Sequence, residues 1–167
     1  NSMERRLSWL TAALALSAGA YAGVALATPG AGFTGTTISV GRYEEIDVRN
    51  SALPDQHWQA KLKTRGQSDL YVQSNVWAPG GTTGWHTHPG YSLITVTAGA
   101  VTAYDSDDPD CTPTVYSQGM GFVDPGGDHA HVLRNEGAVE ARTTAVQLVP
   151  PGATRRIDMP APGNCPF

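Results

Sequence analysis

Residues 84–99 read GWHTHPGYSLITVTAG. Much of the stretch alternates in the manner of a β-strand, and side chains two apart on a strand share a face. His86 and His88 therefore present two imidazoles on one side, which is how a sheet offers nitrogen ligands to a single metal ion. A carboxylate close downstream would complete such a site, yet Pro89, Gly90, Tyr91 and Ser92 come next and no acid appears before Asp105.

Working outward, the chain of 167 residues has room for one domain with a real core. With 19 glycines and 12 prolines against 16% charged residues, it reads as short strands joined by turns. Segments rich in Val, Thr, Tyr and Ile recur between Gly, Pro and Asp turns: IDVRN, LYVQSNVW, SLITVTAG, AVTAY, TVYS, HVLRNEG and VEARTTAVQLV. This pattern predicts an all-β, antiparallel sandwich or barrel over about 41–160, with only a short turn near SALPDQHWQAKLK. Residues 28–40 read as a leader strand or linker, and 161–167 as a C-terminal tail.

Residues 1–27 have the order of an export signal: Arg5-Arg6, an apolar run from Leu7 to Leu26, and Ala25-Leu26-Ala27 as the small-residue cut. Asn1 and Ser2 ahead of Met3 read as cloning remnants. The rival reading is a retained membrane anchor, since about 20 apolar residues can span a bilayer. Many of these residues are Ala, Gly and Ser, so cleavage and a secreted or extracytoplasmic protein, with no stable membrane insertion, are expected. In an oxidising compartment Cys111 and Cys165 have only each other, and a bridge would pin the tail onto the DSDDPDCTP loop. A net charge of −4 without a basic run gives no support for nucleic-acid binding. Phosphate loops, dinucleotide fingerprints and nucleophile elbows do not occur.

Four of the five histidines form two H-x-H pairs, His86/His88 and His129/His131. The frame Gly80-(five residues)-His86-x-His88-(three)-Ser92-(six)-Gly99 resembles the first motif of the cupin superfamily. Gly119-(five)-Pro125-x-Gly127, followed by His131-(three)-Asn135, resembles the second, with one extra residue before the histidine. The resemblance covers about 55 residues. It implies a cupin barrel (a jelly roll, or double-stranded β-helix) and imidazole ligation of a divalent transition metal (Zn, Mn, Ni, Cu or Fe) by His86, His88 and His131. It also implies a small-molecule ligand, and a homodimer through the outer sheet. Ser92 stands where the family carries a glutamate, and a neutral hydroxyl is a poor ligand for a divalent ion. His129 is either a fourth ligand or base, or a turn residue. Strand alternation makes Gln73, Tyr91 and Gln147, with Ser92, candidate pocket residues. Two readings of function follow: a small metalloenzyme of lyase, isomerase or dioxygenase type, or a binding protein for metal or sugar without turnover. His129 separates them, because a lyase needs a base within reach of its substrate.

Overall fold

A computed structural model describes residues 26–167; the export signal read at residues 1–27 lies outside the described residues except for its last two. Twelve strands follow one another and no helix intervenes among the described residues: β1 Ala31–Tyr43, β2 Asp47–Arg49, β3 Lys61–Lys63, β4 Ser68–Thr82, β5 His86–Thr87, β6 Ser92–Ala98, β7 Ala100–Asp105, β8 Thr114–Ser117, β9 Gly121–Asp124, β10 His131–Arg134, β11 Ala141–Val149 and β12 Ile157–Asp158. Hydrogen bonding arranges ten of them in two runs, β1–β4–β11–β6–β9 and β12–β5–β10–β7–β8. The Arg134–Thr82 pairing joins the runs, so an antiparallel sheet folds over into a nearly closed barrel. β2 and β3 form a separate two-stranded ribbon.

Alternation does what the sequence asks of it. Ser92, Ile94 and Val96 of β6 point inward while Leu93 and Thr95 face out. Trp77, Val96, Val101, Leu133 and Ala141 make the core at one end of the barrel interior, with Phe33 tilted against Trp77 at 4.9 Å between centroids. Burying one tryptophan of this kind stabilises by roughly 4–6 kcal/mol in transfer terms. β10 is buried on both faces. His131 and Leu133 look into the barrel, and Val132 packs outside it against Trp85 and Tyr104.

The C-terminal tail covers that outer face. Phe167 lies edge-on to Tyr104 at 5.0 Å, and the Arg134 guanidinium sits 4.0 Å over the Phe167 ring. The Cys111–Cys165 disulfide, at a Cα separation of 5.2 Å, ties the tail to the acidic loop after β7. For a span of 54 residues the chain-entropy model gives about 4 kcal/mol of stabilisation.

Most of residues 28–40, expected to be a leader strand or linker, belong to β1, which pairs with β4 from Ala31–Thr82 to Tyr43–Ser68. Its side chains are mostly exposed, so burial periodicity was weak there. The backbone ladder to β4 holds it instead, together with a salt bridge from Arg42 to Asp69.

Candidate metal centre

The three histidines of the two motifs meet inside the barrel. β5 and β10 lie side by side with His86 and His131 directly opposite in register. His88 follows on the chain, and one nitrogen from each ring can be chosen so that all lie within 4.8 Å of one another. The three residues are 4–5% exposed. Ring centroids stand 4.4 Å apart for His86–His131 and 5.0 Å for His86–His88.

Backbone carbonyls fix two of the rings. His86 Nδ1 lies 2.9 Å from the Gly84 carbonyl and His88 Nδ1 lies 2.6 Å from the Arg155 carbonyl. A carbonyl only accepts, so each Nδ1 carries the proton and each Nε2 keeps its lone pair, that of His88 lying 3.2 Å from the Gln147 amide. Burial above all, then the nearby His131 and Arg156 charges, holds the His86 pKa well below 6.5. Burial likewise brings His88 down to about 4. Both rings are therefore neutral at pH 7, the form that binds a cation.

A carboxylate is present, and it comes from the neighbouring strand. Asp124 ends β9, is 4% exposed, and pairs in register with Ser92 of β6. Its Oδ1 accepts the Gly126 N–H at 2.9 Å and lies 3.4 Å from His131 Nδ1, while Oδ2 is 3.7 Å from His88 Nε2. Burial raises the Asp124 pKa, but the His131 contact and the Gly126 hydrogen bond outweigh it and hold it below 3.8. Asp124 Oδ2 and His131 Nδ1 are buried without hydrogen-bond partners. Two orphaned polar atoms beside neutral imidazoles are what a bound cation would satisfy, so the donor set fits a divalent transition metal.

Gly126 permits this approach. It adopts φ +66°, and a Cβ there would collide with the Gly90 and His88 carbonyls.

Ser92 is 1% exposed and belongs to a row of three residues across β11, β6 and β9: Gln147, Ser92, Asp124. Gln147 Nε2 donates to Ser92 Oγ at 2.9 Å and stands 3.2 Å from His88 Nε2, and Arg155 Nη1 donates to Gln147 Oε1 at 2.7 Å. Arg155 and Arg156 line the cavity with the histidines, Ser92, Asp124 and Gln147. Burial lowers the pKa of both arginines from 12.5, and Arg156 adds to the effect on Arg155; each stays cationic at pH 7. The cavity is about 40 Å³, room for the end of a molecule a few atoms across.

The other candidates lie elsewhere. His129 is held by Asp105 at 3.0 Å and Asp107 at 3.4 Å, beside the loop after β7. The extra residue of the second motif falls in the turn between Pro125 and His131, which puts His131, not His129, among the rings. Gln73 is buried and donates to Thr37 Oγ1 at 2.6 Å, away from the cavity lining. Tyr91 lies on an outer apolar surface with Trp58 and Leu93. Sequence reasoning missed Asp124, Arg155 and Arg156. The Asp124 signal was its place just before Pro125, five residues into the second motif.

No protein-family model matches the chain, and no curated protein sequence matches it. Several solved structures overlap it in part. An oxalate oxidase overlaps 47% of this chain and 41% of its own length, at 26% identity and a TM-score of 0.42. A cupin domain from Bordetella pertussis overlaps 48% and 82%, at 20% identity and 0.41. A cupin-superfamily sugar phosphate isomerase from Silicibacter pomeroyi overlaps 49% and 52%, at 24% identity and 0.42. The chain thus spans less than half the length of the oxalate oxidase. Strand order, the positions of the motif glycines and three converging histidines define a cupin barrel with a metal-ready centre. The two sequence motifs and this barrel together resemble the cupin superfamily.

Proposed function

We propose that this protein is an extracytoplasmic metalloenzyme whose three-histidine centre takes the end of a small anionic, oxygen-rich molecule such as a carboxylate. The observation that carries the reading is one cavity in which His86, His88 and His131 face Arg155 and Arg156. A divalent metal bound there would act as a Lewis acid on an oxygen of the ligand. The chain's own residues do the rest. Arg155 and Arg156 attract and orient the anion, as paired guanidiniums do for carboxylates. Gln147 holds Arg155 in place, and the walls of Trp77, Ile94 and Leu133 exclude water and strengthen both interactions.

Lyase or isomerase chemistry needs a proton acceptor within reach of the bound ligand. His129, already shared between two aspartates, is not placed there. Export is supported by the order of residues 1–27 and by the disulfide, which persists in oxidising compartments.

Elemental analysis of the purified protein tests the centre. One equivalent of a divalent transition metal is expected in the wild type and in His129→Ala, and its loss in His86→Ala. Wild-type protein without metal, or His86→Ala that retains it, refutes the reading.

A further inference from the structure

Position 92 lacks an acid, and the residue paired with it across β6 and β9 has one. Cross-strand partners on one face bring their Cβ atoms to about 4.5–5.5 Å, so a carboxylate moved from one partner to the other still reaches the same space. Asp124 does reach it. Gly126 occupies Oδ1, which leaves Oδ2 unpartnered, buried and 3.7 Å from His88 Nε2, whose own Nδ1 is taken by the Arg155 carbonyl. Donors bonded at about 2.0–2.1 Å to one tetrahedral ion stand about 3.4 Å apart. The 3.7 Å from Asp124 Oδ2 to His88 Nε2 is therefore close to the spacing of neighbouring ligands, while Oδ1 stands 3.4 Å from His131 Nδ1.

Charge points the same way. A divalent ion among the three imidazoles would concentrate positive charge in a buried cavity that Arg155 also lines, Arg156 being paired with Asp158. One carboxylate among the ligands offsets part of it, and the ion in turn compensates a carboxylate that Gly126 alone only half satisfies.

We infer that Asp124 is the fourth protein ligand of the metal, so that the acid of this centre is supplied by β9 through the cross-strand partner of Ser92. This rests on the metal-centre reading above and adds the identity of the acidic ligand.

The test uses Co²⁺ as probe on the whole chain. Affinity is read by chelator competition and ligand geometry by the visible d–d spectrum of Co²⁺. Partners that only orient a ligating histidine cost about 10–100-fold in metal affinity when removed. Asp124→Asn keeps size and an acceptor for the Gly126 N–H but loses the anionic ligand. It is expected to weaken Co²⁺ binding by more than about 100-fold and to change the spectrum. Asp124→Asn with Ser92→Glu, which returns a carboxylate from the other strand, is expected to recover at least about 10-fold. A loss below about 100-fold with an unchanged spectrum overturns the assignment and makes Asp124 an orienting partner of His131. If Asp124→Asn does not fold, Asp124→Glu decides: an altered spectrum supports ligation and an unaltered one overturns it. Wild-type protein that takes up no Co²⁺ overturns the metal centre itself, whereas wild-type uptake with an indifferent Asp124 variant overturns this inference alone.

Discussion

Arg155 ties three parts of the centre together. Its carbonyl accepts from His88, its guanidinium donates to Gln147, and Gln147 donates to Ser92. A substitution of the side chain leaves the carbonyl in place, so Arg155→Ala separates anion recognition from metal holding. It is expected to retain the metal and to weaken binding of a small carboxylate to the loaded protein by about 10–100-fold, the worth of one charge-assisted contact of about 1.5–3 kcal/mol. Calorimetric titration with acetate or malonate measures this, and unchanged affinity would remove Arg155 from the ligand site. The roles of single residues were unevenly legible in the sequence. His86, His88 and His131 could be read because their spacing follows a motif. Asp124 is marked by its place before Pro125, but its role depends on the register that sets it against Ser92, and register is a long-range property. Arg155 was hidden for a related reason: a loop brings it back over the barrel 67 residues after His88.

Among the elements, the turn after β10 is held by one side chain. Asn135 is 1% exposed and donates through Nδ2 to the carbonyls of Trp77, Ala78 and Val139, while its Oδ1 accepts the Gly137 N–H at 3.0 Å. It thereby clamps β4 to the β10–β11 turn at the seam where the two runs of strands join. Asn135→Ala leaves several buried backbone groups unpaired, at about 1–3 kcal/mol for each that water cannot reach. A loss of about 2–4 kcal/mol in denaturant unfolding is expected, with the metal still bound at low denaturant. A loss under 1 kcal/mol would show that water fills these positions. The second motif ends on Asn135, and the turn follows directly after it. Spacing left β1 open between a strand and a linker. An edge strand with mostly exposed side chains carries little burial periodicity, so TGTTISVGR gave no inward face to count.

For the molecule as a whole, burial of the His86 and His88 imidazoles makes stability depend on pH when the metal is removed. His86 and His88 are neutral in the folded protein because burial lowers their pKa, His88 to about 4. In the unfolded chain both take a proton near the ordinary value of 6.5. Below pH 6.5 the unfolded state therefore binds protons that the folded state refuses, and unfolding becomes easier as pH falls. The stability present above pH 6.5 is lost progressively down to about pH 4, with His88 alone contributing on the order of 3 kcal/mol. Asp124 works in a separate window: its pKa is lowered from 3.8, so its contribution is lost only in stronger acid. Bound metal adds its own free energy to the folded state and is itself expelled as the ligands protonate, so the loaded protein falls more steeply over the same range. Melting temperatures of chelator-treated wild type should be level above pH 7 and fall between pH 6.5 and 4. His88→Gln, which removes one of the titrating rings, should flatten that slope. A metal-free wild type whose melting temperature holds constant from pH 7 to pH 4.5 would mean that the rings accept protons without leaving the barrel. The cavity would then be wetter than its apolar walls imply, and the case for a dry, anion-selective centre would fail with it.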